Sequence, residues 1–176
     1  LSLLLACSDV DISKGEENNS IEEVEHCATL IDHQICDFDA IDVNGDIVNL
    51  SELYGAPIVL DLSAMWCGPC QQAGRAMQEV ADMYPEITFL TVLIEDGIGD
   101  VPEPTDISGW MESMEITTCP VWGGSREIVT NNVIDIEDNL YLTAWPTFYF
   151  IDSYGYLQHY MKGYNDNEAE GFYKEW

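Results

Sequence analysis

Two cysteines, Cys67 and Cys70, stand two residues apart, where a run rich in β-branched and aliphatic residues, Ile58 to Leu62, leads into them and a helical pattern starts immediately after. A strand that delivers a Cys-x-x-Cys pair to a helix N-terminus is a redox device. The free N–H groups and the dipole of the helix favour a thiolate on the first cysteine. The spacing lets the second sulfur attack a mixed disulfide made by the first. A zinc site would need two more ligands, and the sequence has no second Cys-x-x-Cys and no suitably spaced His pair. His26, His33 and His159 are scattered, and none follows the pair as haem attachment requires. The pair is therefore expected to work with no metal and no cofactor.

The elements that must hold it read as follows. Ile35 to Ala40 is a candidate first strand, Asn44-Gly45 a hairpin turn, and Ile47 to Leu50 its return. The carboxylates around that turn lack the remainder of a calcium loop, so a plain turn is expected. Ser51 to Gly55 reads as a helical turn and Pro57 to Ala64 as the central strand. After Cys67, helical spacing puts Cys70, Ala73, Gly74, Met77, Val80, Ala81 and Tyr84 on one face, with Cys70 inward and Cys67 outward. Thr88 to Ile94 is a strand buried on both faces. Thr105 or Asp106 caps a helix over Ile107 to Met114. Thr118 to Trp122 is a short strand and Val133 to Leu142 a short helix. Phe148 to Ile151 and Tyr156 to Met161 form a late hairpin, and Asn167 to Trp176 a closing helix. The pattern predicts an α/β fold: a central mixed sheet with helices on both faces.

The 176 residues suffice for one domain with a full core. The 33 acidic against 5 basic residues, a formal net charge of −28, argue against binding nucleic acid or an anionic membrane surface by charge. Six cysteines fit an oxidising compartment. Residues 1–7 are expected to be a signal-peptide remnant, because Leu3 to Ala6 reads as the end of an apolar region. Leu4-Leu5-Ala6-Cys7 resembles a bacterial lipobox, which implies acylation of Cys7. Ser8, in place of the Asp that often retains lipoproteins at the inner membrane, leans the destination toward the outer membrane. Residues 8–30 are expected to be an acidic tether and 31–176 the folded domain.

Residues 35 to 163 together resemble the thioredoxin fold, and within it the TlpA/ResA-type extracytoplasmic thiol-disulfide oxidoreductases. The resemblance rests on the Asn44-Gly45 hairpin, Ile58 to Ser63, Trp66-Cys67-Gly68-Pro69-Cys70, Pro120-Val121, Trp145-Pro146-Thr147 with Phe148 to Asp152, and Gly163. It implies an N-terminal β-hairpin extension and an insertion before the proline strand. It also implies that Pro146 is cis and lies against the disulfide. Trp145, with Trp66, Gly68 and Pro69, would then meet an extended substrate segment. Asp61 matches the buried acid of thioredoxins and would take the Cys70 proton. Of the remaining cysteines, the family topology favours a structural Cys36–Cys119 bridge, with Cys27–Cys36 as the local alternative.

These readings converge on a lipid-anchored, periplasm-facing monomer that reduces protein disulfides. Cys67 is the nucleophile and Cys70 the resolving thiol. A membrane electron donor recharges the pair, and cytochrome c maturation is one role the resemblance implies. The alternatives are a thiol peroxidase-like redoxin, for which no Pro-x-x-x-Thr/Ser-x-x-Cys motif is present, and a redox-inert binding lipoprotein.

Overall fold

A computed structural model describes residues 30–130 and 140–164. The central strand, β3 (Ile58–Ala64), is buried along its whole length. It pairs in parallel with β4 (Thr88–Glu95) and antiparallel with β8 (Thr147–Ile151). Around them stand β1 (Asp39–Ile41), β2 (Ile47–Asn49), β5 (Val121–Gly123) and β9 (Leu157–Lys162), in the sheet order β2-β1-β5-β4-β3-β8-β9. β6 (Val129–Thr130) and β7 (Leu140–Tyr141) form a separate parallel pair. The sheet is mixed, as the alternation of periods predicts.

The two faces of the sheet carry separate cores. Helices α1 (Gly68–Met83) and α2 (Pro104–Ser113) cover one face, where Cys70, Ala73, Met77, Ile107 and Trp110 pack on Val59, Phe89 and Phe148. On the other face Ile58, Leu60, Leu62, Leu90 and Val92 meet Ile35, Phe38, Leu140, Leu142 and the 3-10 helix Leu50–Leu53. Among the described residues, the helical cover of the second face is that 3-10 helix and a second one, Arg126–Ile128, whose Ile128 packs on the same cluster. The alternation along β3 sends 59, 61 and 63 toward α1 and 58, 60 and 62 away from it.

Several local expectations shift. Ile35 and Cys36 are buried, but this stretch does not open the first strand. Gln34 bridges Tyr156, and the Ile35 N–H donates to the Gly155 carbonyl at 2.9 Å, so the ladder to β2 begins only at Asp39. The hairpin loop spans 42–46, and Asp42 Oδ1 accepts the N–H groups of Asn44 and Asp46 at 2.8 and 2.9 Å. That carboxylate is held below its ordinary range chiefly by the Asp46 N–H, as a turn-forming Asp should be. Helix α2 starts at Pro104, and Asp106 caps it from inside, its Oδ2 accepting the Glu103 N–H at 2.8 Å. The expected helix over Val133 to Leu142 lies mainly outside the described residues, which show β7 at its end. The closing helix at Asn167 to Trp176 lies wholly outside them.

The β8–β9 turn admits a stringent packing test. Gly155 has φ +91°, and a Cβ there would sit 2.5–2.7 Å from Cζ, Cε2 and Oη of Tyr54. Gly155→Ala would combine a left-handed penalty of ~1–2 kcal/mol with overpacking of ~1–3 kcal/mol. The expected loss is about 2–4 kcal/mol in urea unfolding, with no change in the Cys67–Cys70 equilibrium. A loss below about 1 kcal/mol would show that Tyr54 swings clear.

Candidate active site

β3 ends at Ala64, and its last turn is tied back into the sheet. The Met65 N–H donates to the Glu95 carbonyl at 2.9 Å and the Cys67 N–H to the Ala64 carbonyl at 3.1 Å. The chain then enters α1 with Cys67 as its N-cap. Gly68 and Pro69 are the first two helical residues; a proline there removes no helical hydrogen bond. Cys67 and Cys70 are joined in a disulfide with their Cα atoms 5.2 Å apart. The Cys70 N–H donates to Cys67 Sγ at 3.2 Å, the contact that would hold a thiolate there once the bond is reduced. Cys70 is fully buried and Cys67 is 4% exposed. The outward Cys67 expected from helical spacing is therefore corrected. As an N-cap residue it has extended backbone, and its sulfur turns over the helix end instead of away from it.

Asp61 is fully buried at the centre of β3, opposite Thr91 on β4 and Phe148 on β8. By strand alternation it points to the α1 face, the side on which Cys70 packs. Ser63 Oγ donates to its Oδ1 at 2.7 Å and Thr91 Oγ1 to its Oδ2 at 3.4 Å. Burial pushes its pKa up to about 7, against which the two hydroxyls pull only partly. A carboxyl in this range can take and return a proton near neutral pH.

The second wall comes from the loop before β8. The Trp145–Pro146 peptide is cis, and Pro146 is buried. The Gly163 N–H donates to the Pro146 carbonyl at 2.7 Å, and Thr147 Oγ1 to the Ala144 carbonyl at 2.8 Å. Trp145 meets Trp66 edge to face, with centroids 6.0 Å apart and planes at 74°. Trp66 remains 48% exposed, a large apolar surface beside the disulfide.

The structure thus brings Cys67, Cys70, Trp66, Gly68, Pro69, Trp145 and Pro146 to the end of the sheet where β3 leads into α1, with Asp61 further in, at the centre of β3 on the face against which Cys70 packs. Cys36 is disulfide-bonded, but Cys119 is a free buried thiol, so the Cys36–Cys119 bridge is not formed. Cys119 belongs to the α1-side core beside β5, whereas Cys36 follows a stretch tied to the β8–β9 turn, several strands away. Burial pushes the Cys119 thiol up, which makes it a poor nucleophile. Cys7 and the Cys27–Cys36 alternative lie outside the described residues. Sequence reasoning missed Ser63, Thr91, Glu95 and Arg126. Ser63 was within reach, since i and i+2 share a strand face. Glu95, an acid closing an apolar run, stood where open α/β sheets place their sites.

A mixed sheet with a Cys-x-x-Cys pair at a helix N-terminus opposite a cis-proline loop defines a thioredoxin-like redoxin. The chain belongs to the AhpC/TSA family, whose sequence model matches residues 31–160. Among curated relatives it is similar to an H-type thioredoxin of Picea mariana, 36% identical over 50 residues, 28% of this chain and 39% of that one. The first curated relatives it matches are covered over less than half of their own length. Two solved structures share the fold. One is the pneumococcal exposed lipoprotein thioredoxin of Streptococcus pneumoniae, with TM-score 0.60 and 24% identity over 80% of this chain and 100% of that one. The other is a thiol:disulfide interchange protein of the thioredoxin family from Chlorobium tepidum, with TM-score 0.62 and 20% identity over 84% and 97%.

Proposed function

We propose that this protein is an extracytoplasmic thiol-disulfide oxidoreductase, held to a membrane through acylated Cys7, that reduces disulfides of other proteins. The observation that carries the reading is the Cys67–Cys70 disulfide itself, with Cys67 capping α1 and Cys70 buried on the side of a protonatable Asp61. In the reduced state the Cys67 thiolate attacks one sulfur of a substrate disulfide, and the other substrate sulfur leaves as a thiolate. Asp61 takes the Cys70 proton. The Cys70 sulfur then attacks Cys67 Sγ, releasing the second substrate thiolate and closing the Cys67–Cys70 bond. Two electrons pass to the substrate, and a membrane-side dithiol must return them before the next cycle.

Trp145 supplies the substrate edge. An extended segment pairs with its backbone while Trp66 covers the disulfide from the side. The lipobox-like Leu4-Leu5-Ala6-Cys7 and the exposed lipoprotein among the similar folds support the location. The acidic surface favours substrates without strong negative charge.

The direction is set by the reduction potential. Gly68-Pro69 between the cysteines is the thioredoxin arrangement, which implies a value near about −270 mV. Equilibration of the purified chain with glutathione redox buffers measures it. A value above about −180 mV would move the protein to the oxidant or isomerase class and refute the reductant reading.

A further inference from the structure

Glu95 closes β4 at the active-site end of the sheet and is 6% exposed. A carboxylate so placed must be paired. Trp66 Nε1 donates to its Oε2 at 2.7 Å, and Arg126 Nε donates to its Oε1 as an ion pair. The Arg126 guanidinium in turn lies 5.8 Å from the Trp145 ring centroid, and Trp145 meets Trp66 edge to face. Glu95, Trp66, Trp145 and Arg126 therefore form a closed ring of side chains. It joins the loop before the disulfide to the loop that carries the cis peptide.

Arg126 is the member that the domain must bring from elsewhere. It opens a 3-10 helix (Arg126–Ile128) that Ser125 caps by accepting the Glu127 N–H at 3.2 Å. The Gly124 N–H donates to the Leu93 carbonyl at 2.8 Å, and a Cβ on Gly124 would meet Ile128 Cδ1 at 2.8 Å and Val92 Cγ1 at 2.9 Å. The segment is pressed onto β4, so Arg126 is delivered at a fixed place, although its side chain is 63% exposed. Neither sulfur takes a hydrogen bond from any of the four side chains among the described residues.

We infer that Arg126 is a positioning residue for protein substrates: anchored on Glu95, it holds the Trp145 substrate edge in register with Cys67. The inference rests on the disulfide-reductase reading above. It separates substrates by size. A protein disulfide must pair with the Trp145 edge, whereas a small aromatic disulfide needs only Cys67. An Arg is suited to this because one planar group can donate to a carboxylate and lie over an aromatic face.

The test compares Arg126→Ala, Arg126→Lys and Glu95→Gln in the full chain. With insulin as substrate, Arg126→Ala should raise KM about tenfold with kcat within about twofold. The rate with 5,5′-dithiobis(2-nitrobenzoate) and the glutathione equilibrium constant should each stay within about twofold. Arg126→Lys keeps the charge without the planar fork and should recover only part of the loss. Glu95→Gln frees Arg126 while still accepting the Trp66 N–H, so it should match Arg126→Ala, and the double variant should be no worse than either. Indole ¹H–¹⁵N resonances give a readout independent of activity: Arg126→Ala should shift Trp145, and Trp66 with it, because Trp66 donates to Glu95 and packs on Trp145. An unchanged KM, additive losses, or an equal loss with the small disulfide would overturn the inference. Should the wild-type chain reduce no protein disulfide, the reductase reading fails by itself. An unmoved Trp145 resonance in Arg126→Ala would then refute the tether.

Discussion

Cys67→Ser should lower insulin-disulfide reduction by at least about a thousandfold, to the level set by the reductant alone. A hydroxyl in this position keeps the cap of α1, because an oxygen accepts the Cys70 N–H as readily as sulfur does. The fold should therefore persist and only the chemistry vanish, which an unchanged urea midpoint against the reduced wild-type chain would verify. Cys70→Ala gives the complementary result. Cys67 still attacks, but nothing resolves the adduct, so the variant should accumulate mixed disulfides on Cys67 that dithiothreitol releases. Cys70 is fully buried, so an incoming sulfur meets Cys67 first. If adducts formed instead on a Cys67→Ala variant, through Cys70, the two roles would be exchanged and the proposed order of attack would be wrong.

The centre of this site could be read from local sequence because its geometry is local. Strand, Cys-Gly-Pro-Cys and helix follow one another without a break, and the apolar spacing of Ala73 and Met77 fixes which face of α1 is buried. The fold class was legible for the same reason: β3 and β4 are predominantly apolar stretches of strand length, buried on both faces and flanked by helical spacing. What escaped was set at long range. Glu95 and Arg126 are 31 residues apart, and no periodicity links an acid at a strand end to an arginine in an irregular segment. The start of β1 was misplaced because Ile35 and Cys36 look like strand and are buried like strand. Ile35 itself and its neighbour Gln34, however, pair with the β8–β9 turn. The same displacement undid Cys36–Cys119: once Cys36 is anchored near that turn, the sheet itself separates it from Cys119. Asp61 was legible as a residue, but its environment was legible only in part. Ser63 follows from the strand period, while Thr91 required the register of β3 on β4.

That environment leads to opposite effects on stability and turnover. An Asp in the unfolded chain ionises near 3.8 and Asp61 in the fold near about 7, because burial disfavours its charge. Between those values the folded protein keeps a proton that the unfolded chain has released, so rising pH favours unfolding. The contribution is fully present below pH 3.8 and is lost as pH rises through about 7. The span corresponds to about 4 kcal/mol. Asp61→Asn removes this slope, so the variant should gain on the wild-type chain between pH 4 and 8, by up to about 4 kcal/mol, measured by urea unfolding of the oxidised forms. Taking the difference between the two proteins cancels the other carboxylates of this acidic chain, which both share. Turnover should move the other way. On the proposed mechanism the carboxylate would accept the Cys70 proton only when ionised, so resolution of a mixed disulfide in the wild-type chain should speed up as pH rises toward 7 and then level. In Asp61→Asn it should be slower by about a hundredfold and lose that inflection, while the first attack by Cys67 stays within about threefold. Parallel stability curves for the two proteins would mean that Asp61 stays ionised in the fold. A variant that resolves as fast as wild type would mean that the Cys70 proton leaves by another route. The destabilising burial of Asp61 is, on this account, what keeps a proton acceptor of near-neutral pKa beside a thiol that water does not reach.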